Sequence, residues 1–173
     1  MVLCGIECVQ RISQYLNIPS GKLQVTQSNT IAADNVVKNI TIEGFSSIIQ
    51  AYANLSKEQE LHLGKDRITQ TLVRQWLEYA VICVNYADVP ANARRVLKEL
   101  NIALRDNTYI TGTHKTIADV ALYYALHSIM NGLTYQEQAE YVHVSRWFDN
   151  IQQEAKLRHK LKIIDFDLMH LYI

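Results

Sequence analysis

The run Thr116-Ile-Ala-Asp-Val-Ala-Leu-Tyr-Tyr-Ala-Leu126 carries a helix start and a burial signal together. Thr116 and Asp119 have the spacing of a capping box. The threonine hydroxyl is placed to accept the Asp119 backbone N–H, and the Asp119 carboxylate to reach back to the Thr116 N–H. The negative charge also suits a helix N-terminus. Aspartate in place of the longer glutamate shortens the reach, so the helix entry must be tight. From Val120 to Leu126 the pattern is apolar on almost every side, which marks a helix surrounded by other elements. A buried helix end cannot use water for its free N–H groups, so the box is expected to be structural, with Thr116→Ala costing about 1–2 kcal/mol.

Downstream, Leu133 to Tyr141, Val144 to Gln153 and Leu157 to Ile164 read as three shorter helices, the first opened by a second box, Thr134-Tyr-Gln-Glu137. Upstream, Leu72, Val73, Trp76, Leu77, Ala80, Val81 and Val84 form the stripe of a long amphipathic helix. Val96, Leu97, Leu100, Ala103 and Leu104 form another, opened near Pro90. The first third differs. Ile6, Val9, Ile12 and Leu16 stand at helical spacing and stop at Asn17-Ile-Pro-Ser-Gly. Leu23-Gln-Val25 and Ile40-Thr-Ile42 alternate, which predicts two short strands with few apolar residues between them. Phe45, Ile48, Ile49 and Tyr52 then share one face of a helix from Gly44 to Leu55. The expected class is α+β, mostly α: a mixed lobe over 1–55, a linker over 56–66 and an all-α domain over 67–173.

A length of 173 residues with 49% apolar and 20% charged side chains is enough for a core that needs no metal or disulfide. Seventeen basic and seventeen acidic residues give zero net charge, which excludes a broad non-specific nucleic-acid surface and removes the repulsion that opposes association. Met-Val-Leu-Cys-Gly-Ile-Glu has no basic segment followed by an apolar stretch, and the apolar run Val120 to Leu126 falls far short of the roughly 20 residues that span a bilayer. A soluble cytoplasmic protein with no membrane contact is expected. Its three cysteines read as reduced thiols, and Asn39-Ile-Thr and Asn54-Leu-Ser as chance matches to a glycosylation signal. Cys4 and Cys8 have no second pair to complete a metal site, the six histidines lack HxH or HExxH spacing, and no glycine-rich phosphate loop occurs. No catalytic, cofactor-binding or metal residue is assigned.

Gln75-Trp-Leu-Glu-Tyr79, Tyr109-Ile-Thr-Gly112, Thr116-Ile-Ala-Asp119, Leu122-Tyr-Tyr-Ala-Leu-His127 and Val144-Ser-Arg-Trp-Phe148 together resemble the non-catalytic, glutathione S-transferase-like branch of the aminoacyl-tRNA synthetase complex-interacting multifunctional proteins. The resemblance is strong over residues 64–153 and looser on either side. It implies a reduced thioredoxin-like N-terminal lobe ahead of a transferase-like helical bundle. It also implies no enzyme. Transferases of this fold hold the glutathione thiolate with a Tyr, Ser or Cys, place a proline before the third strand, and open the next helix with a Glu/Gln-Ser pair. Here no proline lies between Pro19 and Ile40, and the pair reads Phe45-Ser46. The alternative is a degenerate transferase that retains small-thiol binding.

For partners, the resemblance implies a scaffold of the multi-tRNA synthetase complex with two faces. Ser47, Gln50, Ala51 and Asn54 belong to the first, against the transferase-like domain of methionyl-tRNA synthetase. Thr71, Gln75 and Arg146 belong to the second, against that of glutamyl-prolyl-tRNA synthetase, with Trp147 and Phe148 anchoring the helix and the Arg146 fork held outward. Other complex components, a nuclear pool with DNA-damage signalling, and initiator-tRNA delivery are implied in the same way. Zero net charge speaks against direct tRNA binding, and Lys156, Arg158, Lys160 and Lys162 read as a solvated helix face.

Overall fold

Val9, Ile12 and Leu16 are buried on one face of α1 (Ile6–Leu16), which stops where Asn17 turns left-handed and its N–H bonds back to Gln14. A computed structural model describes residues 3–37 and 40–166; Asn39 of the first glycosylation triplet and both chain ends lie outside them. After α1 comes a three-stranded sheet, β1 (Lys22–Val25), β2 (Ile31–Val37) and β3 (Ile40–Glu43), antiparallel throughout in the order β1-β2-β3. Gly21 admits the chain to the sheet at φ +66°, where a Cβ would stand 2.3 Å from the Asp34 carbonyl oxygen.

The central strand corrects the expectation of two strands. Ile31-Ala-Ala-Asp-Asn-Val-Val breaks the period-2 pattern with paired alanines and the Asp34-Asn35 step. Its pairing with both neighbours holds it in the sheet, Ala33 lying opposite Leu23 on one side and Ile42 on the other. Asp34 faces away from the core and accepts from Gln24 Nε2 at 3.1 Å and from the Thr41 hydroxyl at 2.7 Å. α2 (Phe45–Leu55) covers the inner side with Phe45, Ile48, Ile49 and Tyr52, all buried.

The stretch expected as a linker holds a short helix, α3 (Gln59–Leu63). Asp66 then caps α4 (Arg67–Ile82), its carboxylate accepting the N–H groups of Ile68 and Thr69 at 3.0 and 2.9 Å. A 3-10 turn over Val84–Tyr86 leads to α5 (Pro90–Ala103), α6 (Ile117–Asn131), α7 (Tyr135–Glu140), α8 (Val142–Gln152) and α9 (Ala155–Arg158). Every residue of α6 from Ile117 to Leu126 is buried, and the helix packs against both α1 and α4. One hydrophobic core therefore runs from the sheet-bearing lobe through the bundle.

The third short helix expected near the end, over Leu157 to Ile164, is cut short at α9 and continues as a strap. α9 stops at Arg158, His159 has φ 47°, and residues 159–166 form no helix. Side chains from the bundle hold this backbone instead. The Tyr124 hydroxyl donates to Leu157 O at 2.6 Å, His127 Nε2 lies 3.0 Å from Lys162 O, and buried Gln152 both donates to Ile164 O (2.7 Å) and accepts from Ile164 N (2.9 Å). Leu157 of α9 and Leu161 and Ile164 of the strap do face the core, without one helix carrying all three.

Candidate partner-binding surfaces

At the centre of the bundle, Asp119 does more than cap α6. Thr116 and Asp119 form the capping box, and Asp119 Oδ2 accepts from the Thr116 backbone N–H at 2.9 Å and its hydroxyl at 3.1 Å. The other oxygen, Oδ1, accepts the Ile110 N–H at 2.8 Å and the Trp147 indole N–H at 2.9 Å. Burial pushes the Asp119 carboxyl above its ordinary value, and these hydrogen bonds pull the other way. A single carboxylate thus fixes the loop before α6 and the helix that carries Arg146. The second box is also present, Thr134 accepting the Glu137 N–H while Glu137 accepts the Thr134 N–H at 2.9 Å.

On α2, Ser47 and Asn54 are exposed and Gln50 and Ala51 half-buried. Gln50 is partly engaged within the chain. Its Nε2 donates to the Ser46 hydroxyl oxygen at 3.0 Å, and its Oε1 accepts from Arg74 Nε of α4 at 3.2 Å. Asn54 donates to Gln50 O at 2.9 Å and accepts from Gln59 at 2.8 Å. The α2 face is therefore continuous with α4, the polar side chains being held in place by local bonds. Ser46 is buried and bonded to Gln50, so the second residue of the Phe45-Ser46 pair is engaged within the chain.

Thr71 and Gln75 are both exposed on α4. With Ile68, Glu78 and Ile82 they step along the helix at alternating spacings of three and four residues, which makes one outward ridge. Ile68 is 74% exposed and Ile82 66%, so apolar ends flank a polar middle. Nothing in the helical periodicity singles out Ile68 and Ile82, because the core stripe of the same helix absorbs the signal. The available clue was an isoleucine at each end of the polar side.

Arg146 departs from expectation. Trp147 and Phe148 are buried and anchor α8, but the guanidinium is not simply held outward. Its Nη2 donates to Leu104 O and to Asn107 O, each at 2.7 Å, and so ties down the C-cap carbonyl of α5 and the turn that follows it. Among the described residues no hydrogen bond or ion pair joins Arg146 to Thr71 or Gln75; their helix is linked to α5 by the bond from the Tyr79 hydroxyl to Glu99 at 2.6 Å. The α5–α8 contact is reinforced by Asn101, whose Oδ1 accepts the first N–H groups of α8, from His143 at 2.9 Å and Val144 at 3.3 Å. No spacing rule marks Asn101, since its partners lie more than 40 residues away.

Among the described residues no group of three or more metal-ligating side chains comes together, and no helix is long and apolar enough to cross a membrane. The sequence matches the family described as nuclear-export cofactor Arc1p over residues 69–155. It is 38% identical to human eukaryotic translation elongation factor 1 epsilon-1 over 124 residues, which cover 72% of this chain and 71% of the relative. It is 27% identical to the bifunctional glutamate/proline–tRNA ligase of Cricetulus griseus over 127 residues, 71% of this chain but 8% of that one. A glutathione S-transferase from Pichia kudriavzevii superimposes with a TM-score of 0.70 at 14% identity, covering 89% of each chain. The fold is therefore glutathione S-transferase-like, and the chain belongs to the eukaryotic translation elongation factor 1 epsilon-1 family.

Proposed function

We propose that the protein is a non-catalytic connector in the multi-tRNA synthetase complex. It holds the transferase-like domain of methionyl-tRNA synthetase on the α2–α4 face and that of glutamyl-prolyl-tRNA synthetase on the face formed by α8 and the end of α5. Kinship with elongation factor 1 epsilon-1 and with a glutamate/proline–tRNA ligase supports a role among synthetases in translation. The observation that carries the connector reading is the engagement of Ser46. Its hydroxyl is buried and bonded to Gln50, while Ser47, Asn54, Thr71, Gln75 and Arg146 are exposed. The residues available for function therefore lie on helix surfaces suited to another folded domain. Colocalising two enzymes raises their effective concentration without new chemistry. A cytoplasmic location with a nuclear pool serving DNA-damage signalling belongs to the same proposal.

Analytical ultracentrifugation of the protein with the two synthetase domains, singly and together, tests the proposal. A ternary species is expected. Arg146→Ala should weaken binding of one partner only, by about 2 kcal/mol, and should also lower the melting temperature because the α5 carbonyls lose their donor. Failure to bind either domain overturns the connector role. Chemical-shift changes in the α2 amides on adding millimolar glutathione would favour small-thiol binding instead.

A further inference from the structure

The basic run lies partly on a helix and partly on the strap that follows, with Lys156 and Arg158 in the last turn of α9 and Lys160 and Lys162 beyond it. Residues 156–162 hold Lys156, Arg158, Lys160 and Lys162 and no carboxylate, in a chain whose net charge is zero. The bonds from Tyr124, His127 and Gln152 fix the backbone on both sides of this run, so its cations sit on an ordered segment. The strap closes over α1 and leaves a cleft of about 490 Å³ between them. Arg11 of α1 faces Lys156, Arg158 and Lys160 across it, and Glu7 is the acidic residue in the wall. Glu7 is bonded to Arg11 at 2.5 Å. Among the described residues Lys156, Arg158 and Lys160 have no ion-pair partner; Arg158 Nη1 donates to Gln152 O at 3.1 Å, which orients its guanidinium, and Lys156 lies over the Tyr15 ring.

We propose that this cleft binds a compact oligophosphate, the triphosphate of a nucleotide or an inorganic chain of similar length. Four cations against one carboxylate call for a ligand with several negative charges close together, and the cleft has the volume of a small-molecule site. Holding the cations on a fixed backbone reduces the ordering cost of binding, and an arginine fork with lysine point charges matches phosphate oxygens. The two tyrosines in the wall argue against recognition of bases. The Tyr15 ring already carries Lys115 and Lys156 at 5.5 and 5.0 Å from its centroid, and the Tyr124 hydroxyl is committed to Leu157 O. The Tyr124 ring is also buried, so His159 is the one exposed ring in the wall, where single-stranded nucleic acid uses a row of stacking platforms. The site is separate from both proposed partner faces.

Isothermal titration with inorganic tripolyphosphate tests the site directly. One equivalent should bind, more weakly as salt rises from about 50 to 150 mM. ATP should bind within about threefold of tripolyphosphate, since the base adds nothing, whereas clear preference for ATP would overturn phosphate-only recognition. The double variant K156Q/K160Q removes two exposed charges and should weaken binding about tenfold with an unchanged fold. Glu7→Gln releases Arg11 and removes the opposing charge, so it should tighten binding about threefold. Absence of binding by the native protein, or equal binding by K156Q/K160Q and native protein, overturns the proposal. Stronger binding of a hexaribonucleotide than of tripolyphosphate would also overturn it, in favour of an RNA surface.

Discussion

Replacing Asp119 by alanine should be among the most damaging single changes in the protein. It leaves the N–H groups of Ile110 and Thr116 and the Trp147 indole N–H without an acceptor, all of them in the interior. A buried donor left unsatisfied costs about 1–3 kcal/mol, so three of them, allowing for partial relaxation, cost about 3–6 kcal/mol. For a chain of this size each kcal/mol lowers the melting temperature by about 2–4 °C, which places the expected drop between about 6 and 24 °C. Asparagine has the same shape but presents an NH₂ to one pair of donors, so Asp119→Asn should cost less than alanine, about 1–3 kcal/mol. Urea and thermal unfolding give both values. Because Trp147 is one of the donors, Trp147→Phe and Asp119→Ala should be non-additive, with a coupling of about 1 kcal/mol or more in a double-mutant cycle. A loss below about 1 kcal/mol for Asp119→Ala, or strict additivity with Trp147→Phe, would refute the role of Asp119 as the shared acceptor.

Acid should destabilise the fold through its half-buried and buried histidines. Burial lowers the proton affinity of His62 and of His127 below the ordinary 6.5, with Glu58 partly opposing the effect at His62 and the Lys162 carbonyl at His127. The unfolded chain therefore binds these protons first. Their contribution to stability is complete above about pH 6.5 and is lost as pH falls through the lower folded values. Urea midpoints measured from pH 7.5 down to 5 should decline, and His62→Phe, which keeps the edge-on packing against Tyr15, should flatten the decline; an identical slope would remove His62 from the account. Gln152→Ala deletes both bonds to Ile164 and should cost about 2 kcal/mol. It should also make trypsin cut first at Lys160 or Lys162, and cleavage at an unchanged rate would show that the strap is held by other contacts.

Features governed by neighbours three or four residues away were legible in the sequence. Val9, Ile12 and Leu16, or Val73, Leu77 and Ala80, announce their helices because the period of the helix imposes the spacing. Thr116 with Asp119 and Thr134 with Glu137 announce helix starts because each box closes within a single turn. The run from Val120 to Leu126 discloses a central helix through its all-round hydrophobicity. The middle strand was obscured because Ala32, Ala33, Asp34 and Asn35 carry no alternation of their own. That strand is specified by Leu23 and Ile42 on either side, and strand pairing is information that its own residues do not hold.

The sequence by itself determined the main helices, the two capping boxes, the zero net charge and the family, since each rests on composition, local spacing or the identity of short motifs. Only the tertiary structure decided what the long-range polar side chains do. Arg146 became a tie to the end of α5, separated from Leu104 by 42 positions, and Asp119 took a second pair of donors that includes Trp147, 28 positions away. Gln152 turned an apparent helix into an ordered basic strap by exchanging two hydrogen bonds with Ile164. The reason is physical: a buried polar group must find a partner wherever the closed chain brings one, and that choice is made by packing rather than by sequence spacing.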